Sequence, residues 1–257
     1  MSAYILCQTR RTQRPFYVES IGINIYSGEE LCYFMWNNLP LLDESLLNQT
    51  LVEWINDELH LPSLAQKLIV LFEKEYTISD FVMPVFREVH YLTGPELKKL
   101  EQRLGLIESQ PRAVSLKTKG DILFSNRRYA AAIASYKKAL EAGDADEAVG
   151  VQLMAMILNN MGCVYARLFQ LEEACACFKS AYDVLHSGAA LKSYLLSLCL
   201  KDGEDAFREA AEELKVDAET LSAIEKEIGA FEVPDMPEDI DAAIDRWVED
   251  YHNSTAQ

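Results

Sequence analysis

A seven-position pattern recurs in this chain at a constant spacing of 42 residues: Leu116, Gly120, Leu123, Tyr129, Ala132, Tyr136 and Ala139 return as Leu158, Gly162, Tyr165, Leu171, Ala174, Phe178 and Ala181. Self-similarity at a spacing of a few tens of residues is the mark of stacked structural units, each of which covers its apolar face with its neighbour. No other feature narrows the fold as far, because it requires the middle of the chain to be built twice to one plan.

The pattern resembles that of the tetratricopeptide repeat family. That family places a large residue at position 4 of each repeat, Gly or Ala at 8, Tyr or Leu at 11, Ala at 20, an aromatic at 24 and Ala at 27. The resemblance covers residues 113–186 and implies two antiparallel helices per repeat, with a usual period of about 34 residues. The small residues at 8 and 20 then let helices approach closely, and the large ones fill the gaps between them. The eight-residue excess falls around Glu141 to Val151 and predicts a longer loop or extended helices there. A degenerate third pair is expected from Leu191, Tyr194, Leu195 and Leu198, followed after Asp202-Gly203 by Phe207, Ala210, Ala211 and Leu214.

The 257 residues carry 24 basic and 41 acidic side chains, a net charge of −17. Residues 1–112 hold 10 basic and 15 acidic groups, residues 113–200 hold 9 and 8, and residues 201–257 hold 5 and 18. The acidity is thus concentrated at the C-terminal end, and the repeat segment is close to neutral. Such a chain repels DNA, RNA and anionic lipid, so neither nucleic acid nor membrane is an expected partner. No run of 18 apolar residues is present, and Met1 to Arg11 does not read as a signal peptide. The six cysteines lack metal-ligand spacing and read as small buried or half-buried hydrophobes in a reducing, cytoplasmic setting. No metal and no cofactor is expected.

Ahead of the repeats, Tyr4-Ile5-Leu6-Cys7, Phe16-Tyr17-Val18 and Ile21 to Tyr26 predict a small hairpin or three-stranded sheet. Ser27 and Glu30 fit a capping box for a helix ending near Asn38, and Asp43 is expected to cap a helix carrying Leu47, Leu51, Trp54 and Ile55. Further helices should start at Pro62, at Thr77 to Ser79, and at Pro95. Beyond the repeats, Leu221, Ile224, Ile228 and Phe231 mark one helix. Val233 to Pro237 form a linker, and Ile240, Ile244, Trp247, Val248 and Tyr251 mark a last amphipathic helix. The expectation is a mainly α protein: an α-rich N-terminal domain with a small β element over 1–110, an α–α superhelix of tetratricopeptide-like repeats over 111–215, and acidic capping helices over 216–257.

In that family the first helices of successive repeats line a concave groove that takes an extended peptide or a partner helix. The resemblance puts Lys117, Asp121, Phe124 and Ser125 there from the first repeat, Asn159, Asn160, Cys163 and Arg167 from the second, and Lys192 and Tyr194 from the third. The plainer reading of Lys117, Arg167 and Lys192 is solvated helix residues. Some members clamp the C-terminal carboxylate of heat-shock chaperones. Lys117 and Asn160 match that clamp, but Asp121 stands where an Asn is needed and no Lys/Arg pair follows near Lys192. The acidic last helix could cap the array or lie in the groove.

Little points to catalysis. His60, His90, His186 and His252 each fall in the last turn of an expected helix, where a cation meets the negative end of the dipole. No phosphate-cradling, zinc-protease or serine-hydrolase motif occurs, and Arg10-Arg11-Thr12-Gln13-Arg14 reads as a solvated hairpin tip. The leading expectation is a non-enzymatic adaptor for another protein, with a homodimer compatible with it. The alternative is an enzyme or small-ligand sensor whose site lies in residues 1–110.

Overall fold

A computed structural model describes residues 11–145, 150–230, 237 and 239–255 of the chain. The expected strand at Tyr4 to Cys7 and most of the linker at 233–237 lie outside the described residues. The contacts divide the chain into two compact units, residues 1–201 and 202–257.

The first unit opens with a two-stranded antiparallel hairpin, β1 (Phe16–Val18) and β2 (Ile23–Ile25), in which Phe16 faces Ile25 and Val18 faces Ile23. Gly22 carries the hairpin turn at φ +72°, a conformation that suits glycine. Helix α1 (Gly28–Asn37) starts as expected, with the Ser27 hydroxyl accepting from the Glu30 amide at 3.1 Å. The reciprocal half of the box shifts by one residue: the Glu30 carboxylate accepts from the amide of Tyr26, not of Ser27, at 2.6 Å.

A short 3-10 turn at Leu39–Leu41 leads to α2 (Gln49–Asp57). Its cap is Asn48, whose side chain accepts from the Leu51 amide at 3.1 Å, and not Asp43 as expected. Asp43 is drawn away by other partners: it accepts from Ser45 and ion-pairs with Lys119. Helices α3 (Pro62–Ile69), α4 (Ile78–Val89) and α5 (Gly94–Ser109) follow. Capping boxes at Thr77/Asp80 and Thr93/Glu96 open the last two, and each satisfies amide groups that a helix start leaves unpaired.

The repeats form two helix pairs, α6 (Arg112–Ser125) with α7 (Tyr129–Asp144) and α8 (Val151–Arg167) with α9 (Leu171–Leu185). Helices α7 and α8 run to 16 and 17 residues, so extended helices absorb part of the spacing excess. Helix α10 (Gly188–Asp202) closes this unit. One apolar core runs from Phe16 of the hairpin through Phe81 and Phe86 of α4 to Met161 of α8 and Cys177 of α9. Polar contacts tie the N-terminal elements to the first repeat. Lys119 of α6 pairs with Asp43, and Arg128 donates to the carbonyls of Glu19 at 2.8 Å and Ser20 at 3.3 Å in the hairpin turn.

His252 falls in the last turn of the C-terminal helix (Ile240–Thr255), as expected, but the other three histidines lie differently. His60, His90 and His186 sit just past the last turns, in left-handed conformation at φ 57°, 55° and 48°. This is how a helix leaves its axis, a task usually given to Gly or Asn. The second unit contains α11 (Glu204–Glu213), α12 (Ala218–Gly229) and α13 (Ile240–Thr255). Asp217 caps α12 by accepting from the Thr220 amide at 2.8 Å. Among the described side chains of α13, Ala243 is buried, while Ile240, Ile244, Trp247 and Val248 are exposed, Trp247 to 59%. Among the described residues no helix is long and apolar enough to cross a membrane.

Candidate functional groove

Each repeat closes on one contact. The ring at position 24 of the second helix lies against the glycine at position 8 of the first: Tyr136 over Gly120, Phe178 over Gly162. Ala132, Ala139, Ala174 and Ala181 are buried along the same seams. The next residues of α6 and α8, Asp121 and Cys163, are both half-buried.

Around the Asp121 carboxylate the structure gathers two further expected groove residues, Lys117 and Asn160, and Tyr136, whose repeat position implies only a gap filler between helices. Lys117 Nζ lies 2.7 Å from Asp121 Oδ2. The other oxygen, Oδ1, accepts from Tyr136 Oη at 2.7 Å and from Asn160 Nδ2 at 2.9 Å. Three helices, α6, α7 and α8, therefore meet at one carboxylate that joins the two repeats. Tyr136 is fully buried, and burial together with its bond to Asp121 pushes its phenol well above the ordinary range.

The signal for this cluster was present in the repeat itself. The two positions that hold Asp121 and Tyr136 in the first repeat hold Cys163 and Phe178 in the second. A phenol appears with a carboxylate beside it, and a plain phenyl ring with a thiol.

The remaining expected residues spread outward. Cys163 is half-buried, and its thiol is pushed up by burial, with Arg167 acting in the opposite direction. Arg167 is exposed at the end of α8, and no ion pair among the described residues engages it. Phe124 is half-buried against the core, its ring 6.1 Å from that of Tyr129, so it serves packing at least as much as contact with a partner. Lys192 lies half-buried on α10.

A concavity lies elsewhere in this unit. A cleft of about 1190 Å³ runs between the segments around Asp43 and Phe72–Tyr76 and the face of α6 and α7 that carries Arg112, Lys119 and Lys138. Burial pushes the Asp43 carboxyl upward, but hydrogen bonds from Lys119 and Ser45 and the Lys119 charge outweigh it and hold it below its ordinary value.

The tetratricopeptide repeat family model matches residues 118–142 and 156–184. These two segments contain both Gly–aromatic closures and, of the carboxylate cluster, Asp121, Tyr136 and Asn160, with Lys117 one residue before the first segment. Repeats of this kind generally serve as scaffolds for protein–protein interaction. No curated protein matches the chain.

Proposed function

We propose that this protein is a non-enzymatic adaptor that holds a peptide or helix of a partner protein in the groove formed by α6 and α8. The observation that carries this reading is the surface around Asp121. Polar side chains from two successive repeats, Lys117, Asp121 and Asn160, converge there, and Arg167 is exposed further along α8. Groups gathered at the seam of two repeats can be read together by one ligand, which is how a solenoid recognises a chain longer than one repeat. The near-neutral repeat segment inside a strongly acidic chain supports a protein partner over a polyanion.

Lys117 is a poor site for testing contact, because it holds Asp121 in place. A charge reversal there would set two carboxylates against each other. Photocrosslinking separates recognition from folding. A photoreactive amino acid at position 159 or 167 is expected to capture a partner from the native cell, while one at position 176, exposed on α9, is not. Capture at position 176 alone would move the interaction away from the groove, and crosslinks between two copies of this chain would make it a dimer interface.

A second reading, a small-ligand site, is favoured by the cleft beside Asp43, where the buried Ser20 hydroxyl oxygen has no hydrogen-bond partner. Lys138→Glu, which alters that cleft and not the groove, would abolish a ligand-induced rise in melting temperature under this reading.

A further inference from the structure

The contacts around Asp121 have the chemistry of a carboxylate receptor. One cation and two neutral donors approach a single carboxylate at 2.7, 2.7 and 2.9 Å, and each oxygen has its own partner. The donors are held by packing rather than by the carboxylate alone. Tyr136 is fully buried against Gly120, and the Lys117 side chain is 17% exposed. The Asp121 side chain is 34% exposed, so the carboxylate is partly open to solvent, while Lys117 and Tyr136 are more buried than it. The second repeat has no such receptor, since Cys163 and Phe178 stand in the matching positions.

We infer that the groove contains a preformed carboxylate receptor which the chain fills with its own Asp121, and that Asp121 thereby determines which partners the groove accepts. A partner segment that offers an acidic side chain or a free C-terminal carboxylate here finds the donors taken and meets a fixed negative charge. Such a built-in repulsion is a means of selecting among partners. The accepted segment meets this point with an uncharged or donating group. That consequence for partners rests on the groove reading above; the receptor itself does not.

The test needs no partner, so its failure is distinct from failure of the adaptor reading. In the full chain, Asp121→Ala removes the carboxylate and leaves Lys117, Tyr136 and Asn160 facing a half-open space. Its melting temperature is expected to fall, and sodium acetate to restore at least half of the loss with a saturable midpoint in roughly the millimolar range, the scale for a ligand of so few atoms. Sodium chloride at equal ionic strength should not do so, and the wild type should respond alike to both salts. Adding Lys117→Met to Asp121→Ala should abolish the rescue. Equal responses of Asp121→Ala to acetate and chloride, or rescue that survives Lys117→Met, would overturn the inference. Should Asp121→Ala fail to fold in dilute buffer, its recovery of native circular dichroism is followed in sodium acetate and in sodium chloride of equal ionic strength. Recovery no greater in acetate than in chloride would equally overturn it.

Discussion

A Cβ placed on Gly120 would lie 2.5 Å from Cε1 of Tyr136, closer than any real side-chain carbon approaches another atom. The second repeat reproduces the contact, with 2.7 Å from Gly162 to Cε1 of Phe178. Each ring therefore lies where only glycine leaves room, and the helix crossing in each repeat follows from that clearance.

Alanine at either position should destabilise the protein by about 1–2 kcal/mol. Overpacking costs about 1–3 kcal/mol, and the better helix propensity of Ala returns up to about 1 kcal/mol. Gly105, inside α5, has nothing near its missing Cβ, so Gly105→Ala should stabilise by about 0.5–1 kcal/mol. Urea denaturation of the three variants checks the opposite signs, and equal effects would contradict the packing argument.

The turn between the helices of each repeat passes through a left-handed residue, Arg127 at φ 57° and Phe169 at φ 56°. Phe169 is 86% exposed and loses little burial on truncation. Phe169→Gly should therefore raise stability by up to about 1 kcal/mol, and Phe169→Val should lower it, since a β-branched residue tolerates this region poorly. Thermal melts of the two variants would show displacements in opposite directions.

Asp43 gives the stability a defined acid limb. Its carboxyl is held below the ordinary value in the folded state, so its contribution is present above the unfolded-state pKa of about 3.9 and is lost as pH falls through the lower folded value. Asp43→Asn should leave a shallower loss of stability in that window, and Lys119→Met should mimic it. Chemical denaturation at several pH values between neutrality and acid reads this directly. An acid limb unchanged in both variants would show the pair to be without effect on folding.

The buried thiols should be inert in the native protein. Burial, reinforced by Glu29, pushes Cys32 far up, and burial pushes Cys177 up to about 11 despite the nearby Lys137. Thiolate is the reactive form, so iodoacetamide at pH 8 should label both only as fast as the protein opens. Mass spectrometry over time should show both sites labelled at once in urea and slowly without it.

How far the sequence could be read depended on the range over which each feature acts. The repeat was legible because Gly120 and Tyr136 are only sixteen residues apart and return intact as Gly162 and Phe178. The helix starts expected at Thr77 to Ser79 and at Pro95 were legible because a cap, at Thr77 and at Thr93, is satisfied within three residues. The misplaced cap at Asp43 fails for the same reason, since its decisive partner, Lys119, lies 76 residues away. The repeat positions single out Lys117, Asp121 and Asn160 as a set. That they engage one another, and that Tyr136 joins them, depends on how α6, α7 and α8 stack.

The sequence by itself thus determined the repeat plan, the helical character and the concentration of acidity at the C-terminal end, because periodicity, capping and charge count act locally or as sums. Tertiary structure alone decided that the groove's carboxylate is already satisfied. The hydrogen bond between Asp121 and Asn160 spans 39 residues, with the whole of α7 between them, and its existence depends on tenths of an ångström in the stacking of one repeat on the next.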